Sequence, residues 1–197
     1  MLIAITVGHT GRPSKDFKDM GAVLPSGTTE VEVVRDYVAA LERALRAKGF
    51  QVVVLSDGSY QDQWKRADEY GAAVYLNCHM NAGGGNRGEL FYDHRSSKGK
   101  VLASLIAKAI TGQIATFPWP TVVKPCQSDT NGAPRDSDYS EAFGCISGVK
   151  AVALVVEAYF LDGPHLSDFW GRTDKWAELF AVGVAAWAKA DGKTPTA

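Results

Sequence analysis

The sequence predicts one α/β domain: a mainly parallel, twisted sheet of about five or six strands with helices on both faces. Three observations carry this expectation. Short apolar runs rich in β-branched residues, LIAITV (2–7), QVVVL (51–55) and AVALVV (151–156), have the continuous apolarity of strands buried on both faces. Segments with apolar residues three and four apart alternate with them, as helical crossovers between parallel strands do. The 197 residues suffice for one substantial core and are too few for two.

Residues 2–7 form the first strand and end at Gly8. Residues 9–29 mix glycine, proline and polar residues without a period, a loop of the length that usually carries function. Val34, Tyr37, Val38, Leu41 and Leu45 then recur at helical spacing, closed by Gly49. Residues 51–55 read as a second strand, 60–71 as a helix and 73–78 as a third strand. After a GGGN turn at 83–86, GELFYD at 88–93 alternates as a strand does. Leu102, Leu105, Ile106, Ala109 and Ile110 mark another helix. Residues 112–145 show no period and read as a long irregular excursion. Residues 151–156 return as a buried strand, and Trp176, Leu179, Phe180, Gly183, Val184 and Trp187 share one face of a closing helix. The domain is expected over 1–190, with 191–197 a flexible tail.

Apolar residues at 46% and charged residues at 22% describe an ordinary globular protein. A formal charge of −1, without a basic run, offers no field for nucleic acid or anionic lipid. Three cysteines, Cys78, Cys126 and Cys145, make no disulfide framework, although a bridge between the last two is conceivable. The opening MLIAITVGH has no basic segment or cleavage site and is too short to span a bilayer, so no membrane insertion is expected. The expected location is the cytoplasm of the producing cell.

Open parallel sheets bind ligands beyond the carboxyl ends of their strands. Three polar residues stand there: His9 after LIAITVG, His79 after VYLNC and Glu157 after AVALVV. A carboxylate in so apolar a run needs a cation, a donor network or a raised pKa, needs that a structural ion pair also meets. Thr29 and Glu32 have the form of a capping box, which gives Glu32 a structural task. Glu30, at the first helical position, is then free to face the strand ends or merely to complement the helix dipole. Two histidines and a carboxylate on separate elements suit catalytic zinc with one position open to water, although no HExxH pair exists. Cys78 is expected to face the core, and neither His94 nor His165 is expected to be a ligand.

Four ordered blocks go further. Gly8-His9, Asp19-Met20-Gly21-Ala22-Val23 and Glu30 come first, followed by Asn77-Cys78-His79-Met80-Asn81-Ala82. Gly88-Glu89-Leu90-Phe91-Tyr92 and Val156-Glu157-Ala158-Tyr159-Phe160-Leu161 complete the series. Across nearly the whole chain this resembles the zinc-dependent N-acetylmuramoyl-L-alanine amidases of the amidase-3 type. There are departures. Thr6-Val7 stand where the family often has aspartate-proline, so a partner for His9 is missing or replaced. Gln63, with Arg66 nearby, stands where an arginine is common, and Val152 replaces a proline.

The resemblance implies hydrolysis of the amide between the lactyl group of N-acetylmuramic acid and L-alanine in peptidoglycan. It implies one zinc ion on His9, Glu30 and His79, with Glu157 as the general base that then protonates the leaving amine. Asn77 and Asn81 could orient His79, contact substrate or simply form a turn. Arg135, with Phe117, Trp119 and Tyr139, is the candidate groove wall, unless these aromatics merely pin the loop. A monomer is expected, acting on the cell wall as a phage endolysin or an autolysin after release at lysis or export. A zinc carboxypeptidase is disfavoured because Arg12 occupies the acidic position of an H-x-x-E pair. A wall-binding pseudoenzyme is disfavoured by retention of all three ligands and Glu157.

Overall fold

The computed structural model describes residues 1–10, 19–113, 115–126, 144 and 146–193. In chain order the elements are β1 (Leu2–Val7), α1 (Glu30–Ala47), β2 (Gln51–Leu55), α2 (Tyr60–Glu69) and β3 (Val74–Asn81). They continue with β4 (Gly88–Asp93), α3 (Ser97–Thr111), β5 (Thr121–Cys126), β6 (Val152–Phe160), α4 (Leu166–Trp170) and α5 (Thr173–Ala190). The six strands form one sheet in the order β2-β1-β3-β6-β4-β5. Four of its five pairings are parallel; β4 runs antiparallel to β6.

Alternation along the strands divides the core in two. Ile3, Ile5, Val7, Leu76, Cys78, Leu154 and Val156 join the buried side chains of α1, α3 and α5. Ala4, Tyr75, Phe91 and Val155 face the other way, against Ala67 of α2 and Ile146. α3 and α5 approach closely because Gly183 lacks a Cβ: one there would overlap Ile106 Cα and stand 2.9 Å from Leu105 O. Helix starts are fixed locally. Thr29 Oγ1 accepts from Glu32 N at 3.3 Å while Glu32 Oε2 accepts from Thr29 N at 2.8 Å, both halves of the capping box. Ser59 and Asp62 repeat the device on α2. None of the described helices is long and apolar enough to cross a membrane.

Two expectations need correction. The excursion after residue 112 contains β5, whose Pro125 broke the sequence pattern; an edge strand tolerates the missing N–H. Phe117 and Trp119 are no groove wall. Both are fully buried, in edge contact with each other, and Trp119 packs on Tyr159. Arg135, Tyr139 and Cys145 lie outside the described residues.

β3 and β6 also run three and four residues further than their apolar stretches, so His79 and Glu157 stand within strands. The β3–β6 ladder accounts for this. It pairs His79 directly with Glu157 and holds polar residues extended that would fray on a lone strand.

Candidate metal centre

Immediately after β1 the chain turns tightly. Thr10 Oγ1 donates to Val7 O at 2.6 Å, and His9 takes φ +63°, the left-handed region that side chains rarely enter. Among the described residues His9 is the one non-glycine with positive φ. Gln63, fully buried on α2, donates Nε2 to Thr10 O at 3.2 Å, so the residue replacing the expected arginine braces this turn. The His9 backbone N–H donates to Tyr60 Oη at 3.1 Å. His79 arrives from β3, and Tyr37 Oη on α1 donates to its carbonyl at 2.9 Å. Glu30 enters from the first turn of α1, left free by the use of Glu32 in the cap.

These three side chains converge. Glu30 Oε1 lies 3.2 Å from His9 Nε2 and 3.0 Å from His79 Nδ1. One donor atom from each of His9, Glu30 and His79 lies within 4.8 Å of the other two. The imidazoles meet edge to face, with centroids 4.9 Å apart. The backbone N–H of Met80 donates to Glu30 Oε1 at 3.0 Å, and that of Ala22 to Oε2 at 3.1 Å. Asp19 Oδ1 lies 3.0 Å from His9 Nδ1 and accepts from Gly21 N at 3.1 Å. Asp19 therefore replaces the partner for His9 that the sequence before Gly8 lacks. Its place in the Asp19–Val23 block was the available signal. Tyr60 Oη lies 3.4 Å from His79 Nε2, a contact that sequence gave no reason to expect.

The electrostatics fit a bound cation. Burial would raise the Glu30 carboxyl, but hydrogen bonds and charge from His79 and His9 outweigh it and hold it far below its ordinary value. Burial would lower His9, but Glu30 and then Asp19 outweigh that and raise it. Among the described residues no lysine or arginine pairs with Glu30, which is 4% exposed. A buried carboxylate whose side-chain partners among the described residues are two imidazoles, beside two backbone N–H donors, is a poor structural ion pair. As a nitrogen–oxygen–nitrogen donor set it suits zinc. Glycines make the approach possible: a Cβ on Gly8 would overlap His79 Cε1, and one on Gly21 (φ +67°) would overlap Glu30 Oε2.

Glu157 is 3% exposed and is the register partner of His79 on β3 and of Glu89 on β4. Partners share a face, so the three side chains project from the same side of the sheet. Asn77 is corrected as a substrate contact: it is 1% exposed and accepts from Thr6 Oγ1 at 2.7 Å through its own Oδ1. Asn81 belongs to β3 and not to a turn, and donates to Glu89 Oε2 at 2.9 Å. His94 sits beside Cys126 O, and His165 is 3.1 Å from Asp168 and stacks on Trp119; neither joins the cluster. Cys78 is buried, and burial pushes its thiol up to about 12.

The fold recurs in solved amidases. N-acetylmuramoyl-L-alanine amidase AmiC2 of Nostoc punctiforme superposes with a TM-score of 0.75 at 20% identity, over 96% of this chain and 97% of that one. The catalytic domain of CwlV, from Bacillus (Paenibacillus) polymyxa var. colistinus, gives 0.71 at 20% identity, over 95% and 98%. The catalytic domain of the CD27L endolysin, which targets Clostridia difficile, gives 0.64 at 19% identity, over 100% and 99%. No curated protein matches the chain in sequence. The amidase-3 profile, described as N-acetylmuramoyl-L-alanine amidase, matches residues 3–186, and the chain belongs to that enzyme family.

Proposed function

We propose that this chain hydrolyses the amide joining N-acetylmuramic acid to L-alanine in peptidoglycan, with one zinc ion on His9, Glu30 and His79. The observation that carries the reading is the convergence of those three donor atoms within 4.8 Å on the face where Glu157 partners His79. Zinc, when bound, supplies a Lewis acid that polarises the amide carbonyl and acidifies water. The protein's own groups do the rest. Asp19 Oδ1, 3.0 Å from His9 Nδ1, is placed to favour the tautomer that turns Nε2 to the ion. The Met80 and Ala22 N–H groups fix both oxygens of Glu30. Glu157 takes a proton from the attacking water and returns it to the alanine nitrogen as the carbon–nitrogen bond breaks. Membership of the amidase family supports peptidoglycan as the substrate.

We further propose an endolysin or autolysin role, with the protein a monomer that reaches the wall after lysis or export. The likeness to an endolysin catalytic domain supports this reading. Digestion of purified peptidoglycan with and without a chelator tests the chemistry. New alanine amino termini without new reducing ends are expected, and only in the absence of chelator. Reducing ends would mark a glycosidase and end the reading. Glu157→Gln is expected to keep stoichiometric zinc and lose turnover.

A further inference from the structure

We propose that Arg87 and Lys124 form a receptor for a carboxylate on the leaving peptide, held in position by the buried Glu89. The inference rests on the amidase reading above. Glu89 is 1% exposed and stands opposite Glu157 in the β4–β6 ladder, on the same face. Its Oε1 receives both Arg87 Nε and, at 2.7 Å, Lys124 Nζ. Its Oε2 accepts from Asn81 Nδ2. The Arg87 guanidinium also lies over the Phe160 ring, 4.8 Å from its centroid.

Neutralising one buried carboxylate takes one cation. Here two cations and an amide converge on it, and two cations on one oxygen repel each other. Arg87 and Lys124 thus share one carboxylate oxygen and keep further N–H donors open to a second anion. Both cations are reachable, with side chains 39% and 30% exposed, whereas the Glu89 side chain is 2% exposed. Among the described residues neither cation pairs with any other carboxylate. Glu157, the other acid on this face, is committed in the amidase reading to the water and the amine. Glu89 is thus a positioning residue, and the guanidinium edge and ammonium are the groups offered to a ligand.

The spacing suits the substrate. β4, which carries Glu89, lies one strand from β6, about 4.8 Å, and Lys124 reaches the Glu89 carboxylate from β5, one strand further out. A carboxylate on the residue after the leaving alanine lies roughly 6 Å from the alanine nitrogen, one residue length plus two bonds. In peptidoglycan that residue is a γ-linked D-glutamate, whose α-carboxyl is free in some walls and amidated in others. A scissile nitrogen beside Glu157 brings this group over Arg87 and Lys124. The pair therefore discriminates the free acid from the amide.

The test compares zinc-loaded wild-type protein on N-acetylmuramoyl-L-alanyl-D-glutamate and on its D-isoglutamine counterpart. The acid is expected to show a KM lower by roughly 10- to 100-fold, the range of a hydrogen bond to a charged group, with similar kcat. Lys124→Met is expected to raise KM for the acid alone, and Lys124→Arg to restore it; Arg87→Met gives the same readout from the other cation. Equal KM values for the two substrates in the wild type overturn the proposal, as does a Lys124→Met effect equal on both. Wild-type protein that hydrolyses neither amide overturns the amidase reading itself, and the receptor with it.

Discussion

Gly8→Ala tests whether the proposed metal centre depends on backbone packing. The Gly8 N–H donates to Cys78 O at 2.8 Å, locking the turn after β1 against β3. An added Cβ would stand 2.7 Å from that oxygen and 2.5 Å from His79 Nδ1, where ordinary contact begins at 3.4 Å. The ladder holds the carbonyl, so the imidazole must yield by about 1 Å. That movement destroys the 3.0 Å approach of Nδ1 to Glu30. Overpacking costs about 1–3 kcal/mol, offset by up to ~1 kcal/mol from the stiffer unfolded chain. The net, about 1–2 kcal/mol, corresponds to a Tm lower by roughly 2–8 °C for a chain of this size. Misdirecting a ligand is expected to weaken zinc by about 10- to 100-fold, as loss of an orienting partner does. Calorimetric zinc titration and thermal melts in chelator read the two effects separately. A variant with wild-type zinc affinity and unchanged Tm would refute the packing argument.

Asp19→Ala removes the Nδ1 partner of His9 and is expected to weaken zinc by about 10- to 100-fold with little change in the metal-free melt; unchanged affinity would show that Asp19 does not orient the ring. Without metal, the raised His9 contributes stability that is complete below 6.5 and is lost as pH rises through its folded value. The lowered Glu30 contributes above 4.5 and is lost as pH falls through its folded value, so metal-free stability is expected to decline on both sides of this window. Zinc binds neutral imidazole and is expected to reverse the upper slope; melts from about pH 4 to 8 that rise in parallel with and without zinc would contradict this. Gly183→Val forces α3 from α5 and is expected to cost about 1–3 kcal/mol while leaving turnover per folded molecule intact, as urea melts paired with activity would show. The buried Cys78 thiol is expected to resist iodoacetamide until the protein unfolds, and rapid native alkylation would place it at the surface.

Periodicity revealed the elements whose sequence expresses a single face. α1 and α5 carry apolar residues at helical spacing, and β1 and β6 begin as unbroken apolar runs. Strand ends were less readable because the ladder, and not side-chain apolarity, sets them. β3 continues past residue 78 through His79 and Asn81, where polarity suggested a stop. β5 was hidden for a related reason: an edge strand with half-exposed Val122 and Val123 and an internal Pro125 has no clean alternation. Within the centre, the capping box freed Glu30 by a local rule. Asp19, Tyr60 and Gln63 act through contacts 10 to 53 residues distant in sequence, which spacing does not encode. Trp119 stays ambiguous in sequence because an aromatic in an aperiodic stretch looks the same whether it lines a groove or plugs the core, and burial decides for the core.

Register is what makes the centre a unit. His79 and Glu157 are cross-strand partners, as are Glu157 and Glu89, so His79, Glu157 and Glu89 share one face by virtue of β3, β6 and β4 alone. A slip of one residue in β6 would carry Glu157 to the α1 face and bring Val156 to the centre. The neighbouring side chains forbid that slip: Leu154 and Val156 fill the core beneath α1, α3 and α5, while Ala153 and Val155 face the smaller cluster around α2. Changing volume on either side of β6 therefore loads the same constraint that aims Glu157. Val155→Ala is expected to lower stability by roughly 1–3 kcal/mol through the cavity it leaves. It is also expected to lower turnover beyond the folded fraction lost, because the strand that presents Glu157 is then less firmly seated. Turnover that merely tracks the folded fraction would show that the ladder alone fixes Glu157.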